Sequence, residues 1–284
     1  MGLLAINTGF YNTKIKAANV REMHETRAIV VTEGTNTLKI GNVMYEVGEG
    51  ARDISGKANN NVSMVCTKYN VLRHGDSNVT LGVALPMNLF LNKMYRNSYE
   101  ISLTGTHQGI VDGEQKIVNV ERCICYAEGA AAYLKYKDIL KGQLVGIIDI
   151  GGNTVNCMVY DHGKIIKSSI TTLDLGMIKL ERTIKDELNI QKGWNLQDYE
   201  IKDILSNNEC EDVTGRIIKE HISKIKNELV EKQWNINRLT MFCTGGGSKT
   251  LKQNLEPEFN NAIVSEDAIY DNVDGLYSVL KSMG

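Results

Sequence analysis

Leu144-Val145-Gly146-Ile147-Ile148-Asp149-Ile150-Gly151-Gly152-Asn153-Thr154-Val155-Asn156-Cys157-Met158-Val159 reads as an apolar strand ending near a carboxylate, a glycine turn, and a second strand. The same plan stands near the N-terminus. There Leu3-Leu4-Ala5-Ile6-Asn7-Thr8-Gly9 leads through Phe10-Tyr11-Asn12-Thr13-Lys14 into Ile15. A strand-turn-strand of this kind offers backbone N–H groups and hydroxyls to an anion. A carboxylate at the strand end can hold a hydrated Mg²⁺ beside it. Asn7 and Asp149 lie 142 residues apart in a chain of 284, so the pattern reads as an internal duplication. Two such hairpins facing one another would clamp a nucleoside triphosphate.

Composition narrows the class. Apolar residues make up 42% and charged residues 23%, ordinary for a globular protein. With 32 basic and 34 acidic residues the net charge is -2, which argues against direct nucleic acid binding by bulk electrostatics. No apolar run approaches the roughly 18 residues of a membrane span, and no signal peptide opens the chain, so a cytoplasmic protein is expected. The scattered cysteines, of which Cys123 and Cys125 are the one close pair, read as reduced core thiols.

The first third reads as β-rich, with strands over 15–20, 27–32 and 37–47, then a polar loop over 51–61. A strand at 80–85 stops at Pro86 and a helix over 87–97 follows. Short strands are expected at 101–103, 108–111 and 116–120. A helix opening around Glu128 and ending at Gly142 marks the boundary to the second half. Apolar stripes Met177, Leu180, Ile184, Leu188 and Ile218, Ile222, Ile225, Leu229 have helical spacing. A buried strand over 239–243 runs into Thr244-Gly245-Gly246-Gly247-Ser248, and a last helix is expected from about Ser265 as N-cap. Ser248-Lys249-Thr250 lacks the glycine before Lys249 that a Walker A loop needs. The expected domains are 1–140 with 266–284, and 141–265.

These motifs resemble the actin, chaperone and sugar-kinase superfamily. Asn7-Thr8-Gly9 with Lys14 resembles its Asp-x-Gly-x-x-x-x-Lys hairpin, with Asn in place of the first Asp. Asp149-Ile150-Gly151-Gly152-Asn153-Thr154 resembles its Asp-x-Gly-Gly-x-Thr hairpin, and Thr244 to Gly247 resemble its small-Gly-Gly-Gly strand end. Gly82-Val83-Ala84-Leu85-Pro86, Tyr126-Ala127-Glu128-Gly129 and Asn272-Val273-Asp274-Gly275-Leu276 resemble the bacterial plasmid-segregating actins, the ParM-like ATPases. The resemblance implies an α/β actin-like ATPase fold: duplicated ribonuclease H-like domains around a nucleotide cleft.

It also implies roles. Glu128 and Asp149 would be catalytic, Glu128 orienting or deprotonating the attacking water. Asp149, and Asn7 through water, would hold Mg²⁺. Lys14 would neutralise phosphate charge. ATP or GTP would meet Asn7, Thr8, Gly9, Asn12, Gly151, Gly152, Asn153 and Thr154, with Lys202 and Gly245, Gly246 and Gly247 beside the nucleoside. Asn156 stands where the family often has a second Asp.

The family implies head-to-tail filaments of the chain itself, with a DNA-binding adaptor on a centromere-like site linking them to plasmid or phage DNA. Filament contacts are not legible in the sequence, the 51–61 loop being one candidate. A small-molecule kinase of the pantothenate or sugar type is the alternative, with Asp112 and Glu121 as available bases. A membrane-linked actin would need an amphipathic anchor helix, which neither terminus supplies.

Overall fold

The computed structural model describes residues 2–53, 61–259 and 262–283. The chain divides into two compact units, one of residues up to Ile139 together with those from Tyr270 on, the other of Leu140–Ile269.

In the first unit, β1 (Gly2–Thr8), β2 (Asn12–Lys16), β3 (Arg21–Glu25), β4 (Ala28–Val31), β5 (Thr37–Ile40) and β6 (Val43–Val47) precede α1 (Asn61–His74). Next come β7 (Asn78–Leu85), α2 (Met87–Leu91), α3 (Lys93–Leu103), β8 (Gly105–Val111), β9 (Glu114–Ala127) and α4 (Ala130–Lys135). After α5 (Lys137–Leu140), the second unit holds β10 (Leu144–Ile150), β11 (Val155–Asp161), β12 (Lys164–Leu173), α6 (Met177–Lys192), α7 (Asp198–Ser206) and α8 (Glu211–Glu231). It ends with β13 (Thr240–Thr244), α9 (Gly245–Thr250), α10 (Lys252–Glu258) and β14 (Ala262–Val264). The chain then returns to the first unit as α11 (Asp271–Met283).

The duplication is visible in the sheets. Among the described residues the second unit has strand order β12-β11-β10-β13-β14, and the nine-stranded sheet of the first begins β3-β2-β1-β7-β9. In both, the central strand pairs antiparallel with the strand after it and parallel with one that follows helical chain. β1 and β10 are covered on both faces, which is why they read as apolar runs without clean alternation. Leu4 and Ile6 face the core that takes Cys66 and Tyr69 of α1, whereas Ala5 faces Val273, Leu276 and Leu280 of α11. In the second unit both helical stripes foreseen in α6 and α8 pack on Ile148, Ile150, Val155 and Cys157.

Four local readings change. α1 occupies residues to which the sequence assigns no element; its Asn, Val, Ser and Thr are poor helix formers. Burial of Val65, Cys66, Tyr69 and Leu72 overrides that propensity. Residues 101–103 end α3 instead of forming a strand, because Tyr99 and Leu103 continue the buried face of the helix. The helix expected from Glu128 starts at Ala130 and breaks at Tyr136. The last helix begins at Asp271 and not at Ser265, whose N–H donates to Cys243 O of β13. Asn61 of the expected polar loop already belongs to α1, and residues 54–60 lie outside the described residues.

α11 lies so close to α4 that a Cβ on Gly275 would collide with the carbonyl of Ala131. Gly215, inside α8, has only ordinary contact at 3.8 Å from Glu211 Cγ. Alanine at an unhindered helical position stabilises by about 0.5–1 kcal/mol over glycine. Gly215→Ala is therefore expected to raise stability by that amount, and Gly275→Ala to lower it by about 1–3 kcal/mol through overpacking. Urea unfolding of the two variants checks both signs; equal shifts would refute the close packing.

Candidate functional site

The first hairpin closes tightly. The Gly9 N–H donates to Asn7 O and Asn12 O, both at 3.1 Å, and a Cβ on Gly9 would lie 3.0 Å from Asn12 O. Lys14 stands opposite Asn7 in register, its Nζ 3.6 Å from that Cβ position. Thr67 Oγ1 on α1 donates to Ser63 O at 2.8 Å, so it accepts the 2.9 Å hydrogen bond from the Thr8 hydroxyl. Asn7 is buried, and its Oδ1 accepts no hydrogen bond. A buried polar atom of this kind has an interaction to gain from a ligand or water.

The second hairpin rests on the start of α6. Met177 N donates to Gly151 O at 3.0 Å, Ile178 N to Gly152 O at 2.8 Å and Gly176 N to Asn153 O at 3.2 Å. The turn carbonyls thus satisfy N–H groups at the helix start that no side chain caps. In a trans peptide the N–H points opposite to the C=O, so the N–H groups of Gly152 and Asn153 point away from α6. They make no hydrogen bond among the described residues. The Gly151 N–H, like that of Gly9, closes its own turn, to Thr154 O at 2.9 Å. Sequence reading placed Gly9 and Gly151 amides on phosphate; turn closure uses both.

Asp149 is buried and stands in register with Asn156 on one side and Thr244 on the other. Thr172 Oγ1 donates to Asn156 Oδ1 at 3.1 Å, which fixes that amide within the sheet. Burial, with the Asp149 carboxylate adding to it, pushes the Cys157 thiol well up; burial raises Cys243 to about 12. These thiols are neutral packing groups.

The three glycines after β13 differ. Gly245 has φ +86, and a Cβ there would strike Asp149 Oδ1 and Ile150 O. A Cβ on Gly247 would collide with Ile150 and lie 2.8 Å from Met177 Cγ. Only Gly246 opens on free space. The run is required twice by close packing inside the unit and leaves one position for approach from outside. Lys202 is half-buried on α7.

Three segments that are separate in sequence meet at Glu128. Its N–H donates to Leu85 O at 2.8 Å. The next residue, Gly129, has φ +76 and donates its N–H to the buried Asn272 Oδ1 at 2.8 Å. Lys135 of α4 ties α11 in place through Asp271 Oδ1 at 2.8 Å and Asp274 Oδ2 at 3.0 Å. Burial lowers the Lys135 pKa, but both carboxylates outweigh it and hold the ammonium well above the usual range. Glu128 and Asn7-Thr8 lie at the carboxyl ends of the parallel strands β1, β7 and β9, where open α/β sheets bind ligands.

Asn7, Thr8, Gly9, Asn12, Lys14 and Glu128 belong to the first unit; Asp149 to Thr154, Lys202 and Gly245 to Gly247 belong to the second. Sequence reading missed Thr67, Thr172 and the supporting roles of Gly176 and Asn272. Gly176 directly precedes the α6 stripe, a position that marks a helix start and says nothing of the turn packed against it. Among the described residues no group of three or more His, Cys, Asp or Glu could hold a metal, and no helix is long and apolar enough to cross a membrane.

A Cβ on Gly176 would lie 2.6 Å from Thr154 N and closer still to Asn153 and Gly152, so Gly176→Ala must displace the turn. A displacement costing about 1.4 kcal/mol weakens binding roughly tenfold. Fluorescent-nucleotide titration should show at least that loss while circular dichroism stays unchanged. Unaltered affinity would separate the turn from binding.

Residues 5–130 match the family model of the N-terminal domain of actin-like proteins. No curated protein matches the chain significantly. Among solved structures, an archaeal actin homolog in complex with ADP matches at TM-score 0.85 and 16% identity, over 99% of this chain and 100% of that one. A 15-stranded ParM filament from Clostridium botulinum matches at TM-score 0.83 and 17% identity, over 99% of both chains. The Alp12 filament structure matches at TM-score 0.70 and 16% identity, over 99% of this chain and 98% of that one. The duplicated sheets and these matches show that the chain has the actin-like fold, its residues 5–130 matching the N-terminal domain of actin-like proteins.

Proposed function

We propose that this chain is a nucleotide-dependent polymerising ATPase or GTPase of the ParM kind, working in the cytoplasm. Its filaments would segregate plasmid or phage DNA through a DNA-binding adaptor, with hydrolysis driving disassembly. The observation that carries the reading is the corner at which Leu85, Glu128, Gly129 and Asn272 converge, at the same sheet end as the first hairpin. Solved structures of the same fold that are themselves filaments support the assembly half. The ADP complex of another supports nucleotide binding.

Each hairpin carries an oxygen suited to a hydrated divalent cation: the buried Asp149 carboxylate in the second unit and the orphaned Asn7 amide oxygen in the first. Bound Mg²⁺ would neutralise phosphate charge, held by Asp149 and, through water, by Asn7. Lys14 adds positive charge at the first hairpin. The Gly152 and Asn153 amides and the Thr154 hydroxyl cradle phosphate, helped by the positive end of α6. Glu128 orients and deprotonates the attacking water, held by the backbone bonds on either side of it. Positioning and charge stabilisation suffice for phosphoryl transfer.

The kinase alternative is weakened by Asp112. Its carboxylate accepts from Thr37 N at 2.8 Å and Tyr69 OH at 3.3 Å and lies 3.6 Å from Arg73, which suits a turn lock better than a base.

Right-angle light scattering with Mg²⁺-ATP and then Mg²⁺-GTP, followed by negative-stain microscopy, tests the proposal. A nucleotide-dependent rise with visible filaments is expected; soluble nucleotide-bound monomers would sink it. Asn7→Asp should lower the half-saturating Mg²⁺ by roughly fivefold, the effect of about 1 kcal/mol for a water-screened charge at 4 Å. An unchanged Mg²⁺ requirement would refute the charge argument.

A further inference from the structure

Among the described residues, large apolar side chains are exposed on both units, and those on α2–α3 and around Trp194 stand beside charges of opposite sign. On the first unit, Met94 is 83% and Ile101 74% exposed; seven residues apart on α3, they lie on one face. Leu91, 56% exposed, ends α2 just before. The opposite face of α3 buries Tyr99 and Leu103, so the helix is seated and the outer ridge is a surplus. The charges of this segment are Lys93, Arg96 and Glu100, and Glu100 Oε1 is turned to the Cys125 N–H at 2.8 Å. Arg96 lies on the far side of α3, its guanidinium over the Phe90 ring at 4.9 Å, so the ridge presents methionine and aliphatic groups with Lys93 as the cation at its edge.

On the second unit, a groove of about 470 Å³ is lined by Trp194, Leu196, Ile204, Glu200, Asp203 and Glu209. Ile190 is 80% and Tyr199 69% exposed in the same segment. Residues 190–212 carry six carboxylates against two lysines. The loop is built, not slack: Leu196 N donates to Asn189 Oδ1 at 2.9 Å, and Gln197 N to Glu200 Oε2 at 2.7 Å. A preorganised apolar groove with acidic walls spares part of the ordering cost of association.

We infer that the α2–α3 ridge of one copy docks in the Trp194 groove of a second copy of this chain. Opposite charge and matching apolar character select that occupant. Lys93 meets the carboxylates of Glu200, Asp203 and Glu209, while Met94 and Ile101 meet the indole and aliphatic wall. Because the two patches differ, the contact is heterologous and can repeat from copy to copy. This inference rests on the polymerisation proposed above and locates one of its contacts.

The test uses full-length protein, scattering-derived critical concentrations, and a charge exchange. Lys93→Glu and Glu209→Lys are each expected to raise the critical concentration at least about tenfold, through like-charge repulsion across the contact. A chain carrying both should recover to within about threefold of wild type, because the pair is restored with reversed sign. Met94→Ser should weaken assembly without any rescue by Glu209→Lys. Fluorescent-nucleotide titration of each variant, unchanged from wild type, excludes misfolding. If wild type assembles and the single variants assemble equally well, the contact lies elsewhere; the inference falls while the filament reading stands. Weakening without recovery in the double variant also overturns the pairing. If wild type assembles with neither nucleotide, both readings fall.

Discussion

The second unit is organised around the contact between the start of α6 and the turn at Gly151 to Asn153. Three backbone hydrogen bonds join them, and the absence of a side chain at Gly176 lets them meet. One contact settles several matters at once. It caps a helix that has no side-chain cap, fixes the shape of the hairpin, and turns the Gly152 and Asn153 amides outward. It also places the positive end of a 16-residue helix behind the turn. Gly247, pressed on Ile150 and Met177, closes the same arrangement from the β13 side. The first hairpin has no such support. It leans on α1 through the Thr8 and Thr67 hydroxyls, well within that helix and away from its start. The two hairpins share a strand plan but not an electrostatic one: the first carries the Lys14 ammonium, and the second has a helix start behind its turn.

How much of this was legible follows from where each signal is stored. The duplication was readable because β1 and β10 are buried on both faces, so burial writes itself as a run of apolar residues. The stripes of α6 and α8 were readable because one face of each helix meets a sheet. α1 was not, since its Thr67 and Asn70 are buried polar residues whose hydrogen bonds become visible only in three dimensions. The break at Tyr136 was hidden for a similar reason: its hydroxyl donates to Asp271, 135 residues away in sequence. The Glu128 corner was legible as three isolated fragments, while their convergence is a property of tertiary structure. Gly245 and Gly247 were readable as glycines, but that packing inside the unit requires them was not.

The two amides at expected carboxylate positions have different consequences. Asn156 sits directly across from Asp149, and Thr172 occupies its oxygen. An aspartate there would set two buried carboxylates side by side, and like charges so placed raise one another's pKa. The amide removes that repulsion and leaves Asp149 as the sole carboxylate of its strand pair at that level. Asn7 is different, because its oxygen is buried and unclaimed. The substitution removes a charge where a ligand could use one and leaves an acceptor in its place. With Asp149 as the one carboxylate of its strand pair at that level, a divalent cation held there would draw most of its negative partners from phosphate oxygens. On the proposed reading the cation therefore arrives with the nucleotide and leaves once phosphate charge is lost. Its retention would then track the state of the nucleotide instead of a fixed site in the protein.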